Sequence, residues 1–402
     1  MEGFGEPAGQ GVERPAALLA LIVIPTFAPL TSGLLPAIVA SLVNGRTLTA
    51  EGAGHVSALY SLAGVCAGLL AGLWLRRADR RRMLAVLVVL GFCADLCAVW
   101  LRDYATIAAG RFVTGFAASS VLIAVNATIA ASSRRERIFG IVLTSQSLAA
   151  AALFFTLSHL SLDTSQLFAI LAAGWLVTAP FVIWIPEGPS KEARWEVRGP
   201  RIRRPSLTRA SVVLLAVGFL SFEVATGALW TYLFTIGQWH GLSVATVGSA
   251  IALGMLAAIP GGLIVALIGR RFGHSGPLIL GLVANVAFTA ILLWPIGGAA
   301  YALSVSATSL LYTFALALFL TLLGDEDPSG SLFPLANVII FGGMALGAWL
   351  LSSSVDSGNY RTLLEATVAA FAAAPAFILL RQGLVRLRRS ALNSRKPGID
   401  DA

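Results

Sequence analysis

The chain has 402 residues, of which 57% are hydrophobic and 12% charged, and its formal net charge is +8. A soluble domain usually holds about twice this share of charged residues, so the composition excludes a soluble globular protein. Several uncharged apolar runs reach the roughly 20 residues that are needed to cross a bilayer. We therefore expect a membrane protein with many spans.

Apolar runs between charged or turn-rich breaks predict the elements in chain order. Each run is long enough for one membrane-spanning helix, and together they predict twelve. They lie at 17–43, 52–75, 82–101, 104–131, 137–158, 165–185, 210–236, 243–268, 276–296, 299–323, 331–353 and 361–380.

Short arginine clusters mark alternate breaks between these spans, and the intervening breaks are nearly free of arginine and lysine. Positive residues collect on the cytoplasmic side of membrane proteins, so both termini are predicted to be cytoplasmic, with the protein in the inner (plasma) membrane. The positive charge is thus a topology signal, and no nucleic-acid partner is expected. The acidic break at 324–330 is on the same side, but acidic residues carry little weight in this rule. The clusters lie at 76–82, 134–137, 194–209, 269–273 and 386–396.

One polar segment is much longer than the other breaks and contains four prolines, which disfavour a continuous helix there. It divides the chain into two sets of six spans. The predicted organisation is a cytoplasmic tail at 1–16, a six-helix bundle at 17–185, a cytoplasmic linker at 186–209, a second bundle at 210–385 and a basic cytoplasmic tail at 386–402.

Two corresponding breaks repeat a short pattern, GLWLRRADRR at 72–81 and GLIVALIGRR at 262–271. The pattern resembles the loop motif of the major facilitator superfamily (MFS) of secondary transporters. Both copies depart from the family at its acidic position, which is Arg76 in one and Ala266 in the other. The matching residues are Gly72, Arg77, Arg80 and Arg81 in the first copy and Gly262, Gly269, Arg270 and Arg271 in the second.

A second resemblance is GRFVTGFAAS in the fourth span, where Arg111 and Gly115 are similar to the family's Arg-x-x-x-Gly pattern. The resemblance implies an all-α membrane protein with the MFS fold: twelve transmembrane helices in two pseudo-symmetric six-helix bundles that rock around a central site. It also implies a secondary active transporter. The Gly-Pro motif of many antiporters is absent from the fifth span, and its absence weakens an antiporter assignment.

Charged residues inside spans usually face a bundle interior or a water-filled cavity and are functional candidates. Asp95 and Arg111 lie on adjacent spans at about the same depth, roughly 9–11 Å from one surface at 1.5 Å per residue. They can therefore form an ion pair, and by resemblance Arg111 can instead face the cavity and assist proton transfer; the sequence leaves both interpretations open. Glu365 lies close to the end of the last span, where a structural role is expected.

Glu223 is the carboxyl group placed deepest, about 20 Å along the seventh span and so near the bilayer midplane. Thr226 and Trp230 follow it at helical spacing, which gives one face a carboxyl, a hydroxyl and an aromatic ring. In MFS proteins the seventh helix lines the central cavity, so the resemblance implies a proton-coupling or substrate site here. The alternative is a neutral Glu223 that only hydrogen-bonds between helices.

These features together predict a monomeric transporter that moves a small organic solute, with protons or another ion as the coupling partner. Proton-coupled efflux of an amphipathic or cationic compound is the first hypothesis, because buried carboxylates outnumber the one buried arginine. Proton-coupled uptake of a small metabolite such as an organic acid is the alternative, with Arg111 facing its carboxylate. A membrane-embedded enzyme or receptor is the third class. The chain contains no phosphate-binding loop of the Walker type, and no cofactor or metal is expected.

The acidic break suggests a further hypothesis by family analogy. The cytoplasmic ends of the fourth, fifth, tenth and eleventh helices meet when an MFS protein opens outward. Residues 134–137 (RRER) would then approach residues 325–327 (DED) and form an electrostatic latch. A solvated loop without a partner is the alternative.

Overall fold

The structure is a computed structural model that describes residues 14–77, 79–100, 103–130, 132, 135–160, 163–186, 209–268, 273–326 and 333–393. Within these ranges eleven helices are long and apolar enough to cross a membrane. The apolar segment Pro15–Asn44 adds one further crossing, which is divided into three short helices. The predicted all-helical fold class is therefore confirmed.

We number the crossings α1 to α12 in chain order. Segment α1 comprises the short helices Pro15–Phe27, Leu30–Gly33 and Leu35–Asn44. The others are α2 (Ala50–Arg77), α3 (Arg80–Trp100), α4 (Tyr104–Ala130), α5 (Arg135–His159), α6 (Thr164–Thr178), α7 (Arg209–Trp239), α8 (Val244–Ile268), α9 (Ser275–Ala290), α10 (Gly298–Glu326), α11 (Phe333–Leu350) and α12 (Tyr360–Asn393). Short 3₁₀ turns extend α6 and α9, and a short helix, Ser352–Asp356, follows α11.

The interruption of α1 follows from its prolines. Proline has no backbone N–H and its ring clashes with the preceding turn, so neither Pro29 nor Pro36 can continue a regular helix from the residues before it. The first short helix ends just before Pro29, and Pro36 occupies the second position of the third short helix. The two interruptions, at residues 28–29 and at Leu34, flank the one-turn helix that contains Ser32 in the middle of the crossing.

Side-chain caps fix where two helices begin. The backbone N–H of Thr106 donates to the Asp103 carboxylate over 2.9 Å at the start of α4, and this bond lowers the pKa of Asp103. Asp163 and Gln166 form a reciprocal capping box at the start of α6. Such caps satisfy N–H groups that the first turn of a helix leaves without an internal partner.

We call residues 14–186 and residues 209–393, on either side of the predicted linker, the two halves. Within the halves the closest pairs include α2 with α4 and α8 with α10, and two further pairs, α2 with α11 and α5 with α8, join the halves. Residues 187–208 lie outside the described residues, so the predicted linker at 186–209 and the division into two bundles stay predictions.

Two helix ends differ from the sequence prediction. Helix α10 was expected to end at 323, before an acidic loop, but it continues to Glu326, which is completely buried. Arg381 forms an ion pair with Glu326 and so offsets the cost of burying it. Helix α12 was expected to end at 380 but reaches Asn393, since the arginines and leucines that follow are good helix formers.

Candidate functional site

A cavity of about 280 Å³ lies between the two halves. Residues of α1 and α5 line it on one side, and residues of α7 to α12 line it on the other. Its wall is mostly apolar, with hydroxyl and amide groups at intervals, and no charged side chain is among its described lining residues. Such a concave, largely apolar site with a few polar groups is typical of small-molecule binding.

Two of the residues singled out in the sequence, Thr226 and Trp230, line this cavity. The Trp230 indole N–H donates to the backbone carbonyl of Ser32, in the break of α1, over 3.2 Å. This carbonyl is free to accept because the residue four positions later, Pro36, has no backbone N–H to donate to it. Trp230 therefore joins the two halves at the cavity.

Glu223 lies on the same helix but is not among the cavity-lining residues. Its side chain is completely buried, and neither carboxyl oxygen has a hydrogen-bond partner among the described residues. The α11 backbone passes so close that a Cβ added to Gly343 would lie 2.5 Å from the Cβ of Glu223. Tyr312, which does line the cavity, is near enough to interact electrostatically with Glu223. An unpaired charge in such a place is costly, so the neutral carboxyl is favoured.

Asp95 and Arg111 form an ion pair in which both side chains are buried. Asp95 also accepts from the indole N–H of Trp175 over 2.9 Å and from the Thr114 hydroxyl over 3.3 Å. The Arg111 guanidinium carbon lies 4.9 Å from the centroid of the Phe168 ring. Neither charged residue lines the cavity. The pair expected from matched depth is thus present, and Arg111 is turned toward its own half.

The structure also contains a buried ion pair that the sequence analysis missed. Glu326 at the end of α10 is bonded to Arg381 of α12 and accepts from the Ser211 hydroxyl of α7 over 3.0 Å. Arg381 in turn donates to Ser211 over 3.1 Å. In the sequence, the signal for this pair was the position of Arg381 just beyond the last predicted span and of Glu326 just beyond the tenth predicted span.

The remaining predicted residues that the structure describes are not among the residues that line the cavity. Arg80 donates to the Thr128 hydroxyl over 3.1 Å, and Arg81 donates to the Ile185 carbonyl over 2.8 Å, so this loop ties α3 to the ends of α4 and α6. Gly262 is exposed on α8. Glu365 is exposed and paired with Arg361 over 2.9 Å. Gly72 and Arg77 lie in α2, whereas Gly269, Arg270 and Arg271 lie outside the described residues.

The proposed latch is only partly within the described residues, because Arg134 and Asp327 lie outside them. The two described acids of that break have partners in their own half. Asp325 bonds to His274 over 2.8 Å, and Glu326 bonds to Arg381. The latch stays a prediction about a state in which the other end of the molecule is open.

Comparison with known proteins extends these observations. The profile of the Major Facilitator Superfamily matches residues 19–348. No curated protein sequence matches closely enough to count as a relative.

Among solved structures, the nucleoside transporter NupG has a TM-score of 0.70 at 15% identity, covering 91% of this chain and 98% of its own. A D-xylose-proton symporter has a TM-score of 0.72 at 14% identity, covering 90% and 96%. A bacterial homologue of the human lysosomal transporter Spinster, inward-facing and unoccupied, has a TM-score of 0.65 at 15% identity, covering 92% and 97%. At these identities the likeness concerns the fold.

Proposed function

From the premise that this chain belongs to the Major Facilitator Superfamily and is a secondary transporter, we propose that it exports a small amphipathic or cationic organic compound by alternating access, driven by a proton gradient. The cavity between the halves carries this proposal, because its wall is apolar, aromatic and uncharged among the described lining residues. Such a wall suits a solute with a substantial apolar part.

Glu223 is the group that we assign to proton coupling. It is on the cavity-lining helix, three residues before Thr226, and is buried without a partner. A carboxyl group in this position is neutral while it holds a proton, and it becomes a buried charge when the proton leaves. Loss of the proton therefore has to be accompanied by water, a cationic substrate or a change of conformation, which is the linkage that coupled transport requires. A proton-coupled protein among the similar structures, the D-xylose-proton symporter, is consistent with this role.

Uptake of an organic acid has less support. That hypothesis needs a cation that is free to meet the carboxylate of the substrate, and Arg111 was its candidate. Arg111 is paired with Asp95 and does not line the cavity.

We also propose that the state described is inward-facing. We call the end of the bundle at which α1 and α7 terminate the Asn44 end. Among the described residues, three of the four hydrogen bonds between the halves lie at this end, and the fourth is Trp230 to Ser32 beside the cavity. The described arginines of the clusters, which include Arg80 and Arg81 at the start of α3 and Arg386 near the end of α12, lie at the opposite end, which by the positive-inside rule is cytoplasmic.

Purified protein in liposomes tests the function and the role of Glu223 together. With ethidium as a cationic amphipathic probe, we expect accumulation by wild type only when a pH gradient is imposed. Glu223→Gln removes the titratable group but keeps its shape, so it should bind ethidium and lose gradient-driven accumulation to the background level. The matched control Glu365→Gln, at an exposed glutamate, should transport normally.

Each contrary result has a defined meaning. Normal accumulation by Glu223→Gln would return Glu223 to a structural role. Gradient-driven uptake of an organic acid, with no movement of ethidium, would favour the alternative substrate. Chemical conversion of the probe without flux would favour an enzyme.

A further inference from the structure

The break in α1 leaves one backbone acceptor without its usual donor. In an α-helix the carbonyl of one residue accepts from the N–H four residues later, and the residue four after Pro25 is Pro29, which has no N–H. Gln146 of α5 takes the vacant position, because its Nε2 donates to the Pro25 carbonyl over 2.8 Å. A carbonyl can only accept, so the NH₂ group of Gln146 has to face α1.

This bond fixes the other end of the same amide. Gln146 lines the central cavity. With Nε2 turned toward α1, Oε1 faces away from α1. No described residue donates a hydrogen bond to Oε1. Oε1 is also absent from the set of fully buried atoms that lack a partner, so it is accessible from the cavity. Oε1 is therefore an accessible acceptor with a set orientation on a mostly apolar wall.

Most of the other polar groups of the wall also offer acceptors; the exception is Asn285, whose Oδ1 accepts from the Thr289 hydroxyl over 3.3 Å and whose NH₂ group donates. Three threonine hydroxyls and one indole have given their hydrogen to a backbone carbonyl, so the hydroxyl oxygens retain only their capacity to accept. The hydroxyls of Ser147, Ser309 and Tyr312 can accept as well as donate. The four groups whose hydrogens are used are Thr226, Trp230, Thr308 and Thr313.

We propose that Gln146 is a substrate-binding residue and that the ligand class is organic cations that carry N–H groups, such as protonated primary and secondary amines, with an apolar or aromatic body. The N–H groups of such an amine donate to Oε1 of Gln146, and its apolar part lies against Leu229, Leu233 and Phe371 of the wall. A proton released from Glu223 leaves the negative charge that balances the ammonium. The inference rests on the proposed function in taking this cavity as the transport site and Glu223 as the group that releases a proton.

Three probes with the same phenethyl body test the proposal on the purified full chain: phenethylamine, its trimethylammonium analogue, which has no N–H, and hydrocinnamate, a carboxylate. A hydrogen bond to a charged group is worth about 1.5–3 kcal/mol, so we expect wild type to bind phenethylamine about tenfold or more tighter than the trimethylammonium analogue. Hydrocinnamate should bind most weakly. Gln146→Leu should bind the two cations about equally.

Gln238→Leu is the matched control, because Gln238 also bonds between helices, to Asn44, but outside the cavity. It should keep the preference for the amine. Equal binding of the two cations by wild type, no binding of any probe, or an unchanged preference in Gln146→Leu would overturn the proposal. Should Gln146→Leu fail to fold, the wild-type comparison still decides. Binding preference without gradient-driven flux would reject the transport function and leave this assignment standing.

Discussion

Three acidic side chains in the described spans are completely buried, and their surroundings differ. Asp95 is paired with Arg111, and Glu326 is paired with Arg381. Glu223 has no partner among the described residues. The two paired acids each join helices through a cation, whereas Glu223 joins none. This contrast is the reason for which we propose Glu223, and neither Asp95 nor Glu326, as the carrier of a proton.

The pair between Glu326 and Arg381 should be a strong stabilising contact. Arg381→Ala leaves Glu326 buried without its cation, and breaking a buried pair in this way costs about 3–5 kcal/mol. We expect that loss in the free energy of unfolding, measured by denaturant titration in detergent. The double variant Glu326→Ala/Arg381→Ala should recover much of it, because no uncompensated charge remains.

The exposed pair Arg361 and Glu365 provides the comparison, since these side chains are 73% and 54% exposed. Arg361→Ala should cost about 1 kcal/mol or less. For the buried pair, the double variant at Glu326 and Arg381 could instead lose the sum of the unfolding free energies that the two single variants lose. That result would show that the two side chains act independently.

Part of this residue-scale picture follows from the sequence. An ion pair between Asp95 and Arg111 could be predicted as one of two interpretations, because both residues lie inside predicted spans at matched depth. Arg381 and Glu326 could not, because each lay just outside a predicted span and a solvated loop was the simpler interpretation. The bond of Gln146 to Pro25 could be inferred only in part: the pair Pro25 and Pro29 predicts a carbonyl without a donor, but not which neighbouring helix provides one.

At the scale of elements, hydropathy predicted the crossings well because the length of an apolar run is a local property. It did not predict the division of α1 into three helices, although Pro29 and Pro36 were visible. Contacts between helices depend on small residues instead. In α4 a Cβ added to Gly115 would lie 2.3 Å from the backbone oxygen of Tyr60 in α2. In the Arg-x-x-x-Gly pattern, Arg111 thus forms a buried ion pair and Gly115 allows α4 to pack closely against α2.

Gly115→Ala should therefore separate α4 from α2 and lower stability by about 1–3 kcal/mol, the usual cost of overpacking. Gly140→Ala is the matched control, because nothing lies within 4 Å of a Cβ at Gly140 in α5. The control should be neutral or stabilising by up to about 1 kcal/mol, since alanine favours the helix. Thermal unfolding in detergent measures both, and equal shifts would contradict the close approach.

At the scale of the molecule, the two halves contact each other most specifically at the Asn44 end. Asn44 of α1 donates to Gln238 of α7 over 3.2 Å, and His55 of α2 lies 3.3 Å from the Ser352 hydroxyl. In the inward-facing state that we propose, these contacts close the cavity on that side. Alternating access requires the same contacts to separate so that the cavity opens to the other side of the membrane, while contacts inside one half persist throughout the cycle.

A covalent link across the Asn44 end should therefore stop transport. In a background with Cys66, Cys93 and Cys97 replaced by alanine, Asn44→Cys/Gln238→Cys treated with a short bifunctional thiol reagent should lose ethidium flux to the background level, because the halves cannot separate there. A reversible, disulfide-forming reagent allows flux to be recovered on reduction. Ser41→Cys/Thr164→Cys is the matched control: these residues bond over 3.0 Å within the first half, and linking them should leave flux unchanged. Normal flux through the protein linked at Asn44 and Gln238 would mean that this end stays closed during transport, and the rocking of two halves would not describe this protein.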